Sequence, residues 1–119
     1  ALLRCCAWDN MVGARVWLNG IEMGTLPLTG GFLPGHIDVP QRALASLQME
    51  NRVHIEPVDG CRGALGNLVL EVVLPGGRHV RTQVFEDIYA WSDQWDAWDL
   101  ATVQKMKQGM PLTTVLSFR

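Results

Sequence analysis

The sequence lacks the features of a nucleic-acid surface and of a membrane span. Its basic residues are scattered with no run of like charge, and the net charge is −2, whereas nucleic-acid-binding domains need a basic face. The longest apolar stretch, Leu68–Pro75, is interrupted by Glu71 and is far shorter than the ~20 residues of a spanning helix. We therefore predict no nucleic-acid partner and no membrane partner.

Cysteine is scarce and unevenly placed. The chain has three cysteines, at Cys5, Cys6 and Cys61, and an odd number does not make a disulfide framework. Adjacent residues of a strand point to opposite faces, so Cys5 and Cys6 are poorly placed to share one metal. No C-x-x-C or H-x-x-x-H spacing is present. We predict buried structural cysteines, no metal and no cofactor.

The composition that remains is that of a globular domain. The chain has 119 residues, of which 48% are hydrophobic and 18% are charged. That length and composition suit a single domain over residues 1–119. The sequence begins directly in an apolar, strand-like run at Leu2, so we expect the domain to have been cut from a longer protein.

Short strand patterns separated by turn residues run through most of the chain. Arg15 and Trp17 alternate with apolar residues, as in a half-buried strand. Asn19-Gly20 then predicts a tight hairpin turn, and Pro75-Gly76-Gly77 predicts a second one. Residues 68–74 are apolar on both faces, which indicates a central strand.

One longer helix is predicted near the end, over Asp96–Gln108. Asp96 suits its N-cap, and Gly109 with Pro111 suits its end. We therefore predict an all-β fold, an antiparallel β-sandwich of jelly-roll or galactose-binding-like type with this C-terminal helix packed on it.

The first half of the chain carries a set of motifs in a recognisable order. An apolar strand ends in Asn-Gly, a Gly-Gly-aromatic turn follows, a strand ends near an Asp, and an Asn opens another strand. These positions are Val16, Leu18, Asn19, Gly20, Gly24, Gly30, Gly31, Phe32, Ile37, Asp38, Asn51, Val53 and Ile55. Over residues 1–57 the chain resembles the sugar-binding jelly-roll domain of glycoside hydrolase family 2 enzymes.

The resemblance implies an accessory, non-catalytic role. In that family this domain packs against the catalytic barrel, and the catalytic carboxylates lie in another domain. The motifs stop after Asp59, and the family offers no counterpart for residues 89–100. A fainter resemblance, at Trp8-Asp9, is to β-domains appended to calcineurin-like metallophosphoesterases.

An aromatic and acidic segment at residues 89–99 is the candidate ligand site. Three of the five tryptophans fall within eight positions there. Flat aromatic rings stack on the apolar faces of sugars, and Asp and Gln bond their hydroxyls. The candidate ligand-binding residues are Trp91, Asp93, Gln94, Trp95 and Trp98. The alternatives are that these rings fill the core or form a protein-protein surface.

The leading hypothesis is a non-catalytic accessory module of a larger enzyme, with carbohydrate as the candidate ligand and other domains of the parent as partners. The alternative is a structural or protein-protein interaction β-domain without a small ligand, for example one appended to a metallophosphoesterase. A small enzyme with a site among His54, His79 and the aspartates is the third hypothesis. No nucleophile motif supports it, and we predict no catalytic residues.

Overall fold

The computed structural model describes residues 2–7, 13–26, 33–57, 63–83, 88–91, 103–106 and 110–118. These residues form a mostly β structure with one short helix. In chain order the elements are β1 (Leu2–Ala7), β2 (Arg15–Leu18), β3 (Ile21–Thr25), β4 (Leu33–Asp38), α1 (Gln41–Leu44), β5 (Glu50–Glu56), β6 (Gly63–Val73), β7 (His79–Arg81), β8 (Ile88–Trp91), β9 (Val103–Met106) and β10 (Leu112–Ser117).

The four-stranded sheet contains the hairpin that the sequence predicts. Asn19 has φ of 51° and Gly20 has φ of 83°, the left-handed values that a two-residue turn between β2 and β3 requires. The strand order is β10-β5-β2-β3, and every neighbouring pair is antiparallel. β5 therefore lies between β2 and β10, and its side chains can meet those of both.

The larger sheet is built around β6, the strand that the sequence indicates as central. The strand order is β4-β1-β6-β8-β9, and β7 pairs with β6 beyond the end of β8. The ladder between β1 and β6 shifts register where Asn67, with φ of 54°, is inserted opposite Cys5. Such an insertion is a β-bulge, and Asn tolerates the left-handed backbone better than most residues.

Both sheets contribute side chains to one buried cluster. The larger sheet supplies Leu3, Ile37, Leu65, Leu68 and Leu70, and the smaller supplies Val16, Leu18, Met23, Val53, Ile55, Leu112 and Leu116. Each such residue contributes about 1.5–3 kcal/mol when it is fully buried. The pairing of Thr82 with Phe118 also links the two sheets.

The short helix α1 follows Pro40 and directs Ala43 into the core. Among the described residues no helix is long and apolar enough to cross a membrane.

The predicted helix over Asp96–Gln108 is wrong in its second half, where the structure has a strand. Val103–Met106 is strand β9, which pairs in parallel with β8. Pairing satisfies the backbone groups of this segment, and tertiary context of this kind overrides a local helical pattern. Residues 96–102 and 107–109 lie outside the described residues.

The Asn19-Gly20 turn yields a stability prediction. At Gly20 an added Cβ would meet no atom within 4 Å, so the cost of Gly20→Ala comes from the backbone alone. We expect Gly20→Ala to lower the free energy of unfolding by about 1 kcal/mol, because a left-handed φ is unfavourable for Ala. Urea unfolding measures this.

Gly20→Asn is the matched control, since Asn adopts the left-handed region more readily than Ala. It is expected to lower the free energy of unfolding by less than Gly20→Ala. Equal losses for the two variants would contradict the backbone explanation.

Candidate functional site

The outer face of the four-stranded sheet forms an open, concave surface, and the volume of the concavity is about 1190 Å³. We call it the Trp17 face. It is lined by Trp17, Asn19, Gly20, Gln48, Met49, Glu50, Arg52, His54, Glu56, Thr113 and Val115. The lining combines one aromatic ring with amide, hydroxyl, imidazole and charged groups, so it is suited to a polar ligand that also has an apolar side.

Strand alternation explains why these side chains share one face. Along β5 the buried residues alternate with Arg52, His54 and Glu56, which point outward. β2 alternates in the same way and directs Trp17 outward. β10 contributes Thr113, directly opposite His54. The period of two that buries the core therefore also assembles the Trp17 face.

Trp17 and His54 form the middle row of this face. They are cross-strand partners, and their ring centroids lie 5.5 Å apart at an interplanar angle of 57°. His54 Nδ1 lies 2.7 Å from Thr113 Oγ1, and His54 Nε2 lies 3.3 Å from Glu56 Oε1. A carboxylate only accepts hydrogen bonds, so Nε2 donates to Glu56, while Nδ1 bonds the Thr113 hydroxyl. The imidazole is thus held in one orientation.

Arg15 supports the indole ring from the other direction. Its guanidinium carbon lies 4.8 Å from the centroid of the Trp17 ring, within the range of a cation–π contact. Its Nε and Nη2 donate to the carboxylate of Glu22 at 3.3 and 3.2 Å. The hydrogen bond to Glu22, helped by that residue's charge, raises the pKa of Arg15, so its charge is permanent. Trp17 remains half-buried and reaches the concave surface.

A polar network beneath one end of the Trp17 face fixes its position. Asn51 is fully buried, and its Nδ2 donates to Gln48 O at 2.7 Å while its Oδ1 accepts from Gln48 N at 3.0 Å. Asn19 Nδ2 donates to Asn51 Oδ1 at 3.0 Å and to Ser46 O at 2.9 Å. Asn19 Oδ1 also accepts from Arg52 N at 2.8 Å. The hairpin turn, β5 and the segment after α1 are therefore locked together.

The two asparagines that carry the sequence resemblance thus have structural roles in this chain. Asn19 forms the turn and binds the backbone of β5, and Asn51 closes the 48–51 segment. Neither amide is free to donate its full complement of hydrogen bonds to a ligand, because both are already bonded within the protein.

The tryptophan segment predicted as the ligand site is described only at its first residue. Trp91 ends β8, where it pairs with Gly63 of β6 and Met106 of β9. Asp93, Gln94, Trp95 and Trp98 lie outside the described residues. Their predicted role in ligand binding stays a prediction.

Sequence reasoning missed Trp17 as a site residue although the signal was present. A tryptophan on the polar side of an alternating strand, two residues from Arg15, is expected to be at least partly exposed. The densest cluster of tryptophans instead drew the prediction towards residues 89–99.

The two central histidines of the enzyme hypothesis lie in different sheets. His54 is on β5, whereas His79 is on β7 and its Nδ1 lies 2.7 Å from Glu71 Oε1. Glu71 is only 2% exposed, and Arg81 also reaches it, at 3.4 Å. His79 and Arg81 both donate to the buried carboxylate, which is a structural role. Within the described residues, no three His, Cys, Asp or Glu side chains could hold a metal ion.

Comparison with protein families, with curated proteins and with solved structures found no match for this chain. The candidate site is therefore argued from its own geometry.

The buried network gives a second stability prediction. We expect Asn51→Ala to lower the free energy of unfolding by about 2–4 kcal/mol, because it leaves the backbone groups of Gln48 and the Asn19 amide without their buried partner. Chemical denaturation provides the measurement.

Gln48→Ala is the control for Asn51→Ala. Gln48 bonds Asn51 through its backbone, and its side chain is exposed, so we expect a change within about 0.5 kcal/mol. A loss below 1 kcal/mol for Asn51→Ala would show that the network does not hold the face in place.

Proposed function

We propose that this chain is a non-catalytic accessory module that binds carbohydrate, and that the Trp17 face is its binding surface. The observation that carries the proposal is the Trp17–His54–Thr113 row on an open concave sheet face. An indole ring offers an apolar platform for the C–H side of a sugar, and the surrounding polar groups are suited to its hydroxyls.

The shape of the face supports an extended ligand rather than a small enclosed one. The surface crosses β2, β5 and β10 and is open to solvent along its length. A chain of sugar units lying across the strands would meet the indole, the imidazole and the Thr113 hydroxyl in turn. The same openness does not favour catalysis, since catalytic sites commonly exclude water from the reacting groups.

The proposed fold supports the same role. We infer that the two sheets, which share one buried cluster, form a jelly-roll sandwich of galactose-binding-like type. The resemblance to the sugar-binding domain of glycoside hydrolase family 2 supports this proposal, as does the hairpin at Asn19-Gly20. In a larger enzyme such a module would hold the polymer near a catalytic domain.

The proposal predicts that Trp17→Ala weakens oligosaccharide binding by about tenfold or more, ~1.4 kcal/mol, because the stacking platform is removed. The measurement is isothermal titration against a panel of neutral and acidic oligosaccharides. The thermal midpoint and circular dichroism of the variant establish that it remains folded.

Trp91→Ala is the matched variant for the site predicted from the sequence. Full binding by Trp91→Ala together with loss in Trp17→Ala supports the Trp17 face. The reverse pattern places the ligand at the tryptophan segment and contradicts the proposal. An absence of binding to the whole panel by the unaltered protein favours the alternative hypothesis, an interaction domain without a small ligand.

A further inference from the structure

The arginine of the Trp17 face, Arg52, has no local partner for its guanidinium within the described residues. Arg52 is exposed and lines the concavity. Among the residues that the structure describes, its guanidinium takes part in no ion pair or hydrogen bond. Arg15, by contrast, is bonded to Glu22, and Glu56 is bonded to His54.

The strand register explains why Arg52 is unpaired. Its cross-strand partner on β10 is Val115, which is apolar, and on its other side lies the Asn19-Gly20 turn. Arg15 instead lies opposite Glu56. The sheet thus gives one arginine a carboxylate on each side and gives the other none. Glu50, two positions earlier on the same face of β5, is the closest acidic residue along that strand.

Hydrogen bonds to Asn19 hold the backbone of Arg52 at both its N–H and its carbonyl group. Arg52 N donates to Asn19 Oδ1 at 2.8 Å, and Asn19 N donates to Arg52 O at 2.8 Å. Since Asn19 is itself bonded to Asn51 and Ser46, the base of this side chain cannot shift with a ligand. The guanidinium is therefore a donor on a flexible side chain whose backbone is held in place.

The position of Arg52 relative to Trp17 suits a group attached to a stacked sugar. Trp17 lies directly opposite His54, and Arg52 is two residues from His54 on the same face. Such diagonal neighbours in an antiparallel pair are about 7–8 Å apart, within reach of long side chains. A carboxylate on a sugar ring over Trp17 would accept paired hydrogen bonds from the planar guanidinium.

We infer that the Trp17 face selects glycans that carry carboxylates, such as uronic-acid units, and that Arg52 is the residue that determines this specificity. The inference rests on the proposed carbohydrate-binding role and adds the ligand class. A carboxylate of the ligand is the partner that the Arg52 guanidinium lacks among the described residues.

The test measures the affinity of the protein for paired oligosaccharides that differ only in whether each unit carries a hydroxymethyl group or a carboxylate. The pairs are built from glucose and glucuronic acid, galactose and galacturonic acid, and mannose and mannuronic acid. The unaltered protein is expected to prefer the acidic member of at least one pair by about tenfold or more. That preference should fall as salt is added, since the face is open to solvent.

Arg52→Gln is expected to remove the preference while changing the affinity for the neutral member less than about threefold. Arg52→Lys should retain only part of it, because the charge remains but the planar pair of donors is lost. Arg78→Gln is the control: Arg78 is exposed and lies outside the Trp17 face, and the substitution removes the same charge, so it should leave the preference intact.

Three results would overturn the inference. They are equal or tighter binding of the neutral members, an unchanged preference in Arg52→Gln, and parallel losses in Arg52→Gln and Arg78→Gln. If neutral sugars bind through Trp17 without any preference, the proposed function stands and the inference about Arg52 falls. If no member of any pair binds to the unaltered protein, both are wrong.

Discussion

The buried amide of Asn51 is the interaction on which the arrangement of the four-stranded sheet depends. It lies at the start of β5, where it closes the 48–51 segment and contacts Asn19 of the hairpin, and its Nδ2 lies 3.5 Å from Leu116 O of β10. One side chain therefore joins the central strand to both of its neighbours. A buried amide costs free energy unless its groups are bonded, so this position permits few alternatives.

This constraint has consequences on the opposite side of the sheet. Because side chains alternate, fixing Asn51 inward fixes Arg52, His54 and Glu56 outward. A slip of one residue in the pairing of β5 would exchange the core and the Trp17 face. The stability of the fold and the chemistry of the surface thus follow from the same register.

Two side-chain pairs lie beside the indole of Trp17. Arg15 with Glu22 and His54 with Glu56 each form a local pair, and both pairs contact or flank the indole of Trp17. Exposed pairs of this kind contribute little to stability, so their value lies in orienting the ring. Arg52 lacks such a pair among the described residues, and the inferred preference for carboxylates rests on that.

The sequence predicted the local elements well where the signal was local. The Asn19-Gly20 turn and the central strand around residues 68–74 follow from backbone preference and alternation. It failed at Val103–Met106, because pairing with β8 is a long-range contact that no short pattern records. The sequence did place Trp17 on the polar side of a strand, but it did not show which residues surround it. Its surroundings come from β5 and β10, which are distant in the chain.

The most direct test of the account is to map ligand contacts by nuclear magnetic resonance. Amide and indole resonances of a ¹⁵N-labelled sample would be followed during titration with an oligosaccharide that contains uronic-acid units. The account predicts shifts confined to the Trp17 indole and to the outward positions of β2, β5 and β10, with the largest near His54 and Arg52. Shifts centred on Trp91, Trp95 and Trp98, or no shifts on the four-stranded sheet, would contradict it.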